Sequence, residues 1–222
     1  MKKVLQFLEE LKDNNNREWF QANKKRYQEV KAIYESYVGE VIRGIARVDA
    51  EIEGVEVKDT VFRIYRDVRF SSDKSPYKAH MGAFIVRGGK TNPRGGYYLH
   101  VEPGNSLFAG GIWCPEGTLL KALRQDVFDN VEEFKSILQD PAFSRYYTLD
   151  GEELARVPPA FPKDSPDAWC TKYKSYTVTS KVPDSFFDQP DALQQSVERL
   201  ALLQPFNRFL NYTVDETLRG DS

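Results

Sequence analysis

The sequence of 222 residues contains little cysteine and little histidine. Its two cysteines, Cys114 and Cys170, are too few for a disulfide scaffold and indicate reduced thiols in a reducing compartment. Its two histidines, His80 and His100, have no second histidine or cysteine at ligand spacing, so the sequence predicts no metal site. A Walker loop, a Gly-x-Ser-x-Gly elbow and a His-Glu-x-x-His motif are all absent, so the sequence identifies no cofactor.

Long hydrophobic runs and a strong net charge are also lacking. No apolar stretch approaches the length of a transmembrane helix, and Gln6, Glu9 and Glu10 interrupt the place where a signal peptide needs an apolar core. The net charge of -2 does not supply the broad basic field on which non-specific nucleic-acid binding depends. We therefore expect a cytoplasmic protein with no membrane partner, for which a small anion is favoured over nucleic acid.

The hydrophobic pattern predicts two helices before residue 55. The first is short and amphipathic through Val4, Phe7, Leu8 and Leu11. The second begins at an Asn15 N-cap, as one long helix or two collinear ones. Gly39 and Gly44 weaken the interior of this second helix, so we expect a kink or a break there. Its aromatic residues expected to be largely buried are Trp19, Phe20 and Tyr27.

From residue 60 the pattern changes to strands, predicted at 61–70, 80–87, 96–102 and 106–113. Gly110 and Gly111 in the last strand indicate a bulge or a close approach by backbone or ligand. Helices are predicted from about 117, at 131–138 and at 191–209, the last kinked or divided by Pro205.

These elements predict a single α+β domain over 1–222, with its helical N-terminal part, about 1–55, packed on a mostly antiparallel sheet. The sheet and the helices that cover it occupy about 60–212, and a frayed tail about 213–222.

The segment 62–78 contains five cations and two carboxylates, a net charge of 5 − 2 = +3. On a strand, Phe62, Ile64, Val68 and Phe70 would share one face, and an anion-binding face with Arg63 and Arg69 would lie opposite. Arg66 would lie on the same face as Ile64 and Val68, so a carboxylate or a bound anion would be needed to neutralise its buried charge. The candidate ligand-binding residues are Arg63, Arg66, Arg69, Lys74, Tyr77 and Lys78, with Arg124 from a later helix.

Three hypotheses fit this basic segment. The first is an enzyme acting on a phosphate-bearing metabolite or nucleotide, with Asp67, Asp73 or His80 in proton transfer. The second is a non-catalytic module that binds nucleic acid or an acidic protein. In the third, the cluster is structural, because Asp67 and Asp73 form salt bridges with the arginines. The substrate and the oligomeric state do not follow from the sequence.

Two blocks of the sequence carry a family resemblance. The block 14–20, which reads Asn-Asn-Asn-Arg-Glu-Trp-Phe, and the basic block 63–78 resemble domain of unknown function family 2461. The likeness continues more loosely through Gly110-Gly111-Ile112-Trp113 and Lys172-Tyr173-Lys174-Ser175. It implies a single-domain, cytoplasmic and mostly bacterial protein, and it supplies no established activity or catalytic residue.

Overall fold

The first helices of the computed structural model, which describes residues 1–220, follow the hydrophobic pattern closely. Helix α1 spans Lys2–Asp13 and buries the four apolar residues of its predicted stripe. Helix α2 (Arg17–Ala22) begins at Asn16, whose side chain accepts a hydrogen bond from the backbone N–H of Trp19. The N-cap is thus one residue later than the predicted Asn15.

Helix α3 spans Lys24–Ile45, and the break in the predicted long helix lies at Asn23. Gly39 and Gly44, where a kink was expected, both lie inside α3. A Cβ atom at Gly44 would lie 2.5 Å from the methyl carbons of Val197, so this glycine permits close packing rather than a bend. Of the three aromatic residues expected to be buried, Phe20 is 1% exposed, whereas Trp19 and Tyr27 are half-buried.

The α+β class is confirmed, with a five-stranded antiparallel sheet within the described residues. The strands are β1 (Met81–Ile85), β2 (Gly96–Val101), β3 (Leu107–Ile112), β4 (Thr148–Leu149) and β5 (Tyr176–Lys181). They lie in the order β1-β2-β3-β5-β4. The last three strands of the predicted meander correspond to β1, β2 and β3, each shorter than expected.

The prediction of a strand over 61–70 is wrong. Only single bridges form there, between Val61 and Ala83 and between Tyr65 and Tyr77. Phe70, expected in the core, is 97% exposed. Aspartate side chains compete with strand pairing here, because Oδ1 of Asp67 and of Asp73 each accepts a hydrogen bond from the backbone N–H two residues later.

The two glycines of β3 accommodate the protein itself. Gly111 has a φ of 101°, and a Cβ atom there would lie 2.0 Å from the carbonyl oxygen of Tyr176. A Cβ atom at Gly110 would lie 2.9 Å from a methyl carbon of Leu203. The close approach at these glycines is therefore made by neighbouring protein atoms.

The predicted C-terminal helix is divided, as expected, and extends further than expected. Helix α9 spans Gln204–Gly220 and buries Thr213 and Val214, so 213–220 is helical and not a frayed tail; 221–222 lie outside the described residues. Pro205 lies in the first turn of α9, where its missing N–H is tolerated. The remaining helices are α4 (Val57–Thr60), α5 (Gly117–Asp129), α6 (Val131–Gln139), α7 (Pro141–Ser144), α8 (Ala192–Ala201) and α9 (Gln204–Gly220).

The chain clusters into two compact units, each assembled from three segments. The first unit contains Met1–Lys90, Tyr98–Phe108 and Lys181–Glu198, and the second contains Thr91–Tyr97, Ala109–Ser180 and the chain from Arg199 onward. The single domain over 1–222 stays a prediction. None of the helices in 1–220 combines the length and apolar character needed to cross a bilayer.

Candidate functional site

The basic loop, residues 63–78, is fastened at its base by a short antiparallel pairing. The N–H of Arg66 donates to the carbonyl of Pro76 over 3.0 Å, and the N–H of Lys78 donates to the carbonyl of Ile64 over 2.8 Å. Tyr77 is buried, and its ring stacks on Phe20 with centroids 3.9 Å apart. Tyr77, a predicted ligand-binding residue, is therefore part of the scaffold that holds the loop.

The two carboxylates of the basic loop each pair with an arginine. Asp67 binds the guanidinium of Arg69 at 2.6 Å, and these hydrogen bonds lower the pKa of Asp67. Asp73 binds Ser75 and the guanidinium of Arg66. Hydrogen bonds from the Ser75 hydroxyl and N–H, and then from Arg66, lower the pKa of Asp73 to about 2. Both predicted catalytic aspartates are thus ionised and engaged by cations.

These ion pairs occupy two of the arginines of the predicted anion site. Arg66 is 25% exposed, and its partner is a carboxylate of the same loop, which favours a structural role for this residue. Arg69 is also neutralised, and no strand forms at 61–70 to align it with Arg63.

Three cations of the basic loop remain without a carboxylate partner among the described residues: Arg63, Lys74 and Lys78. The Lys74 ammonium donates to the carbonyl of Val68 over 3.0 Å. The Lys78 ammonium lies 5.4 Å from the ring centroid of Phe62, in a cation–π contact. Burial, and then the charge of Arg63, lower the pKa of Lys78. The loop cations that form no ion pair within 1–220 thus lie at its start (Arg63), within it (Lys74) and at its end (Lys78).

Arg124, the remaining predicted ligand-binding residue, belongs to the second unit, whereas the basic loop belongs to the first. Its Nε and Nη2 donate to the carbonyl of Tyr173 over 3.1 Å and 2.8 Å. Burial lowers the pKa of its guanidinium. In this structure Arg124 fastens the backbone at Tyr173.

His80, the third predicted catalytic residue, belongs to a group that the sequence did not predict. We call His80, His100 and Glu102 the His/Glu cluster; their donor atoms all lie within 4.8 Å of one another. The two imidazole rings have centroids 4.4 Å apart, and His100 Nε2 lies 3.1 Å from Glu102 Oε2. Within the described chain, no other group of three metal-ligating side chains meets this distance limit.

The cluster has a defined hydrogen-bond chain. Burial alone would raise the pKa of Glu102, but hydrogen bonds from Asn105 and His100 outweigh it and lower that pKa. An ionised Glu102 only accepts, so Nε2 of His100 carries the proton that it receives. On a neutral ring Nδ1 then accepts from the hydroxyl of Tyr98, 2.9 Å away.

The surroundings keep His80 neutral. Burial, followed by the neighbouring His100, lowers the pKa of His80 to about 4; Glu102 opposes this shift, and Lys78 and Arg66 add to it. The imidazole of His80 is therefore available near pH 7 as a proton acceptor or a metal ligand.

Spacing along the sequence hid this cluster, because His80 and His100 come from two strands that lie side by side. His80 immediately precedes β1, and His100 lies in the neighbouring β2. One signal was present: Tyr98, His100 and Glu102 alternate, which places their side chains on one face of a strand.

The fold and this site define an α+β protein with a basic loop beside a cluster of two histidines and a glutamate. The chain belongs to the family of conserved hypothetical proteins DUF2461, whose model matches residues 3–209. No curated protein and no solved structure matches the chain.

Proposed function

We propose that the protein binds a small anion of the phosphate or carboxylate class at Arg63 and Lys78. Neither side chain has an ion pair with a carboxylate within 1–220, whereas Arg66 and Arg69 are taken by the two aspartates of the basic loop. Arg63 is close enough to lower the pKa of Lys78. Two adjacent cations that form no ion pair in this part of the chain are the observation that carries the proposal, because a bound anion would offset their repulsion. Asp67 is near enough for the charge of Arg63 to help lower its pKa, but its ion pair is with Arg69.

The two side chains offer complementary contacts to an anion. A guanidinium presents a planar fork that matches two oxygens of a phosphate or carboxylate, and an ammonium acts as a compact point charge. Phe62, which is 37% exposed, supports the Lys78 ammonium through its ring face. A phosphate-bearing metabolite or nucleotide meets these requirements.

If the protein is an enzyme, His80 supplies the proton acceptor. It is neutral near pH 7, but burial and neighbouring cations lower its pKa to about 4, so it is a weak base. Asp67 and Asp73 fit this role less well, because their cation partners hold their pKa values low. A binding protein without chemistry would need only the two cations.

A nucleic-acid strand is the second candidate ligand, and one observation favours it. Phe70 is 97% exposed on the basic loop, with the Arg69 guanidinium 6.0 Å from its ring centroid. Exposed aromatic rings beside cations are typical of surfaces on which single-stranded bases stack. An acidic protein partner would use the same charges.

We also propose that the protein works in the bacterial cytoplasm. Both cysteines are free thiols, Cys114 exposed and Cys170 buried, which fits a reducing compartment.

The test is a calorimetric and thermal-shift titration of tag-free protein, in EDTA and low salt, with inorganic phosphate, pyrophosphate, ATP and an oligo-dT strand. A ligand at about one hundred times its dissociation constant stabilises a protein by about 2.7 kcal/mol. We expect stabilisation by a phosphate compound, and an affinity about tenfold lower in Arg63→Gln and in Lys78→Gln.

Lys121→Gln and Arg208→Gln are the matched controls, because each removes an exposed cation from another part of the chain. If the control variants lose as much affinity as the loop variants, the binding depends only on net charge, and the proposed site is contradicted. Binding of oligo-dT alone, abolished by Phe70→Ala, would favour the second candidate ligand.

A further inference from the structure

We propose that His80, His100 and Glu102 form a binding site for one divalent transition-metal ion of the zinc class, with at least one coordination position left open. This inference goes beyond the proposed anion site, because it needs neither Arg63 nor Lys78 and concerns a different ligand.

The distances of the cluster suit a small metal ion. Two metal–ligand bonds of about 2.0–2.1 Å at a tetrahedral angle separate their donor atoms by about 3.3 Å. His100 Nε2 and Glu102 Oε2 are 3.1 Å apart, and the donor atoms of all three residues lie within 4.8 Å of one another. The donor atoms therefore need to approach one another by no more than about 1.5 Å to reach this separation.

The donor atoms select the class of ion. Two imidazole nitrogens and one carboxylate suit Zn²⁺ and its transition-metal neighbours, whereas Mg²⁺ and Ca²⁺ prefer an all-oxygen shell. Lys78 and Arg66 are close enough to lower the pKa of His80, so they also oppose any cation bound there. This repulsion weakens the binding of every divalent cation alike, so the selection against hard ions comes from the imidazoles, which bind such ions weakly.

Three protein ligands are fewer than structural zinc sites use. Structural sites are closed by four protein ligands, whereas catalytic sites hold three and leave a position for water or substrate. His100 and Glu102 have side chains 12% and 28% exposed, so the cluster is accessible from solvent. This arrangement fits a metal that binds a further ligand.

Tyr98 is the positioning residue of this site. A metal on His100 Nε2 displaces the proton from that nitrogen, and in the neutral ring the proton then resides on Nδ1. The hydrogen bond of 2.9 Å to Tyr98 reverses its direction, with Nδ1–H donating to the phenol oxygen. An outer partner of this kind fixes the ring and its tautomer, and its loss typically weakens metal binding 10–100-fold.

The first experiment uses the unaltered, tag-free protein, because the chain has only two histidines. The metal-free protein, labelled with nitrogen-15, is titrated with Zn²⁺ in a buffer without phosphate or chelator. We expect one equivalent to move the ring signals of both His80 and His100, and His100 to change from the Nε2–H to the Nδ1–H tautomer. Unchanged ring signals at one equivalent would overturn the proposal without any variant having to fold.

The second experiment measures Zn²⁺ affinity by competition with a chelating dye. We expect His100→Gln and Glu102→Gln to lower the affinity about 100-fold or more, and Tyr98→Phe about tenfold. Cys114→Ser is the matched control, because the exposed thiol is the other strong zinc ligand on the surface. Affinity that is lost in Cys114→Ser and kept in His100→Gln would place the ion at the thiol and overturn the proposal.

Substitution with Co²⁺ supplies an independent readout of the donor set. Bound Co²⁺ should show ligand-field bands in the visible and no thiolate charge-transfer band, because the cluster contains no sulfur. A thiolate band would contradict the site. These measurements use no anion, and the titrations for the proposed function are done in EDTA, so either idea can fail alone.

Discussion

The side-chain amide of Asn15 makes two hydrogen bonds to the backbone of Tyr77. Its Nδ2 donates to the Tyr77 carbonyl over 2.9 Å, and the Tyr77 N–H donates to its Oδ1 over 3.1 Å. The contact joins the turn before α2 to the base of the basic loop, across 62 residues of sequence. The two blocks that carry the family resemblance are thus one structural unit.

We predict that this amide stabilises the loop base. Asn15→Ala leaves both backbone groups of Tyr77 without their partner and should cost about 1–3 kcal/mol in urea unfolding. Asn15→Asp keeps the acceptor and loses the donor, so its loss should be smaller. Asn14→Ala is the control, because the Asn14 side chain bonds only an exposed carbonyl at the end of α1. Equal losses at the two positions would contradict a special role for Asn15.

Phe20 should contribute more to stability than Trp19. Phe20 is 1% exposed and stacked on Tyr77, whereas Trp19 is half-buried with its ring 5.7 Å from that of Phe7. We expect Phe20→Ala to cost about 3–5 kcal/mol in urea unfolding and Trp19→Ala clearly less. If Trp19→Ala costs as much as Phe20→Ala, the half-burial of Trp19 does not reflect its packing in solution.

The sequence predicted the fold where hydrophobic periodicity coincided with burial. Helix α1 follows this pattern, and β2 follows it in part, whereas β1 and β3 are buried along almost their whole length. The same argument failed at 61–70, because hydrogen bonds from backbone N–H groups to the carboxylates of Asp67 and Asp73 compete with strand pairing. An alternating pattern describes a strand only when a partner edge takes up its backbone groups.

Only part of the candidate site could be inferred from the sequence, because ion-pair partners, like strand partners, depend on the folded structure. An excess of cations over carboxylates was visible in the sequence, but the choice of partners depends on side-chain geometry. Asp67 and Asp73 pair with Arg69 and Arg66, which leaves Arg63, Lys74 and Lys78 without an ion pair in the described part of the chain. The His/Glu cluster requires the pairing of β1 with β2, and no spacing rule within one segment encodes that pairing.

Glycine at position 111 should be indispensable to the sheet. A Cβ atom there would lie 2.0 Å from a backbone carbonyl, and the φ of 101° is strained for other residues. We expect Gly111→Ala to cost at least about 3 kcal/mol in urea unfolding. Gly104→Ala, which has a positive φ and open space, should cost about 1 kcal/mol. Gly117→Ala, which has neither constraint, should be near neutral; any other ranking would contradict the packing at Gly111.

Asp73 should make the folded state sensitive to acid. The pKa of Asp73 is lowered from 3.8 to about 2, so the folded state holds this proton less tightly than the unfolded chain does. The stabilisation is therefore complete above the unfolded pKa and is lost as the pH falls through the folded pKa. We expect the free energy of unfolding of Asp73→Asn to decline less than that of the wild type between about pH 5 and about pH 2.5. Asp164→Asn removes an exposed carboxylate outside the basic loop and should follow the wild-type decline. Parallel acid curves for Asp73→Asn and the wild type would show that Ser75 and Arg66 do not hold this carboxylate in solution.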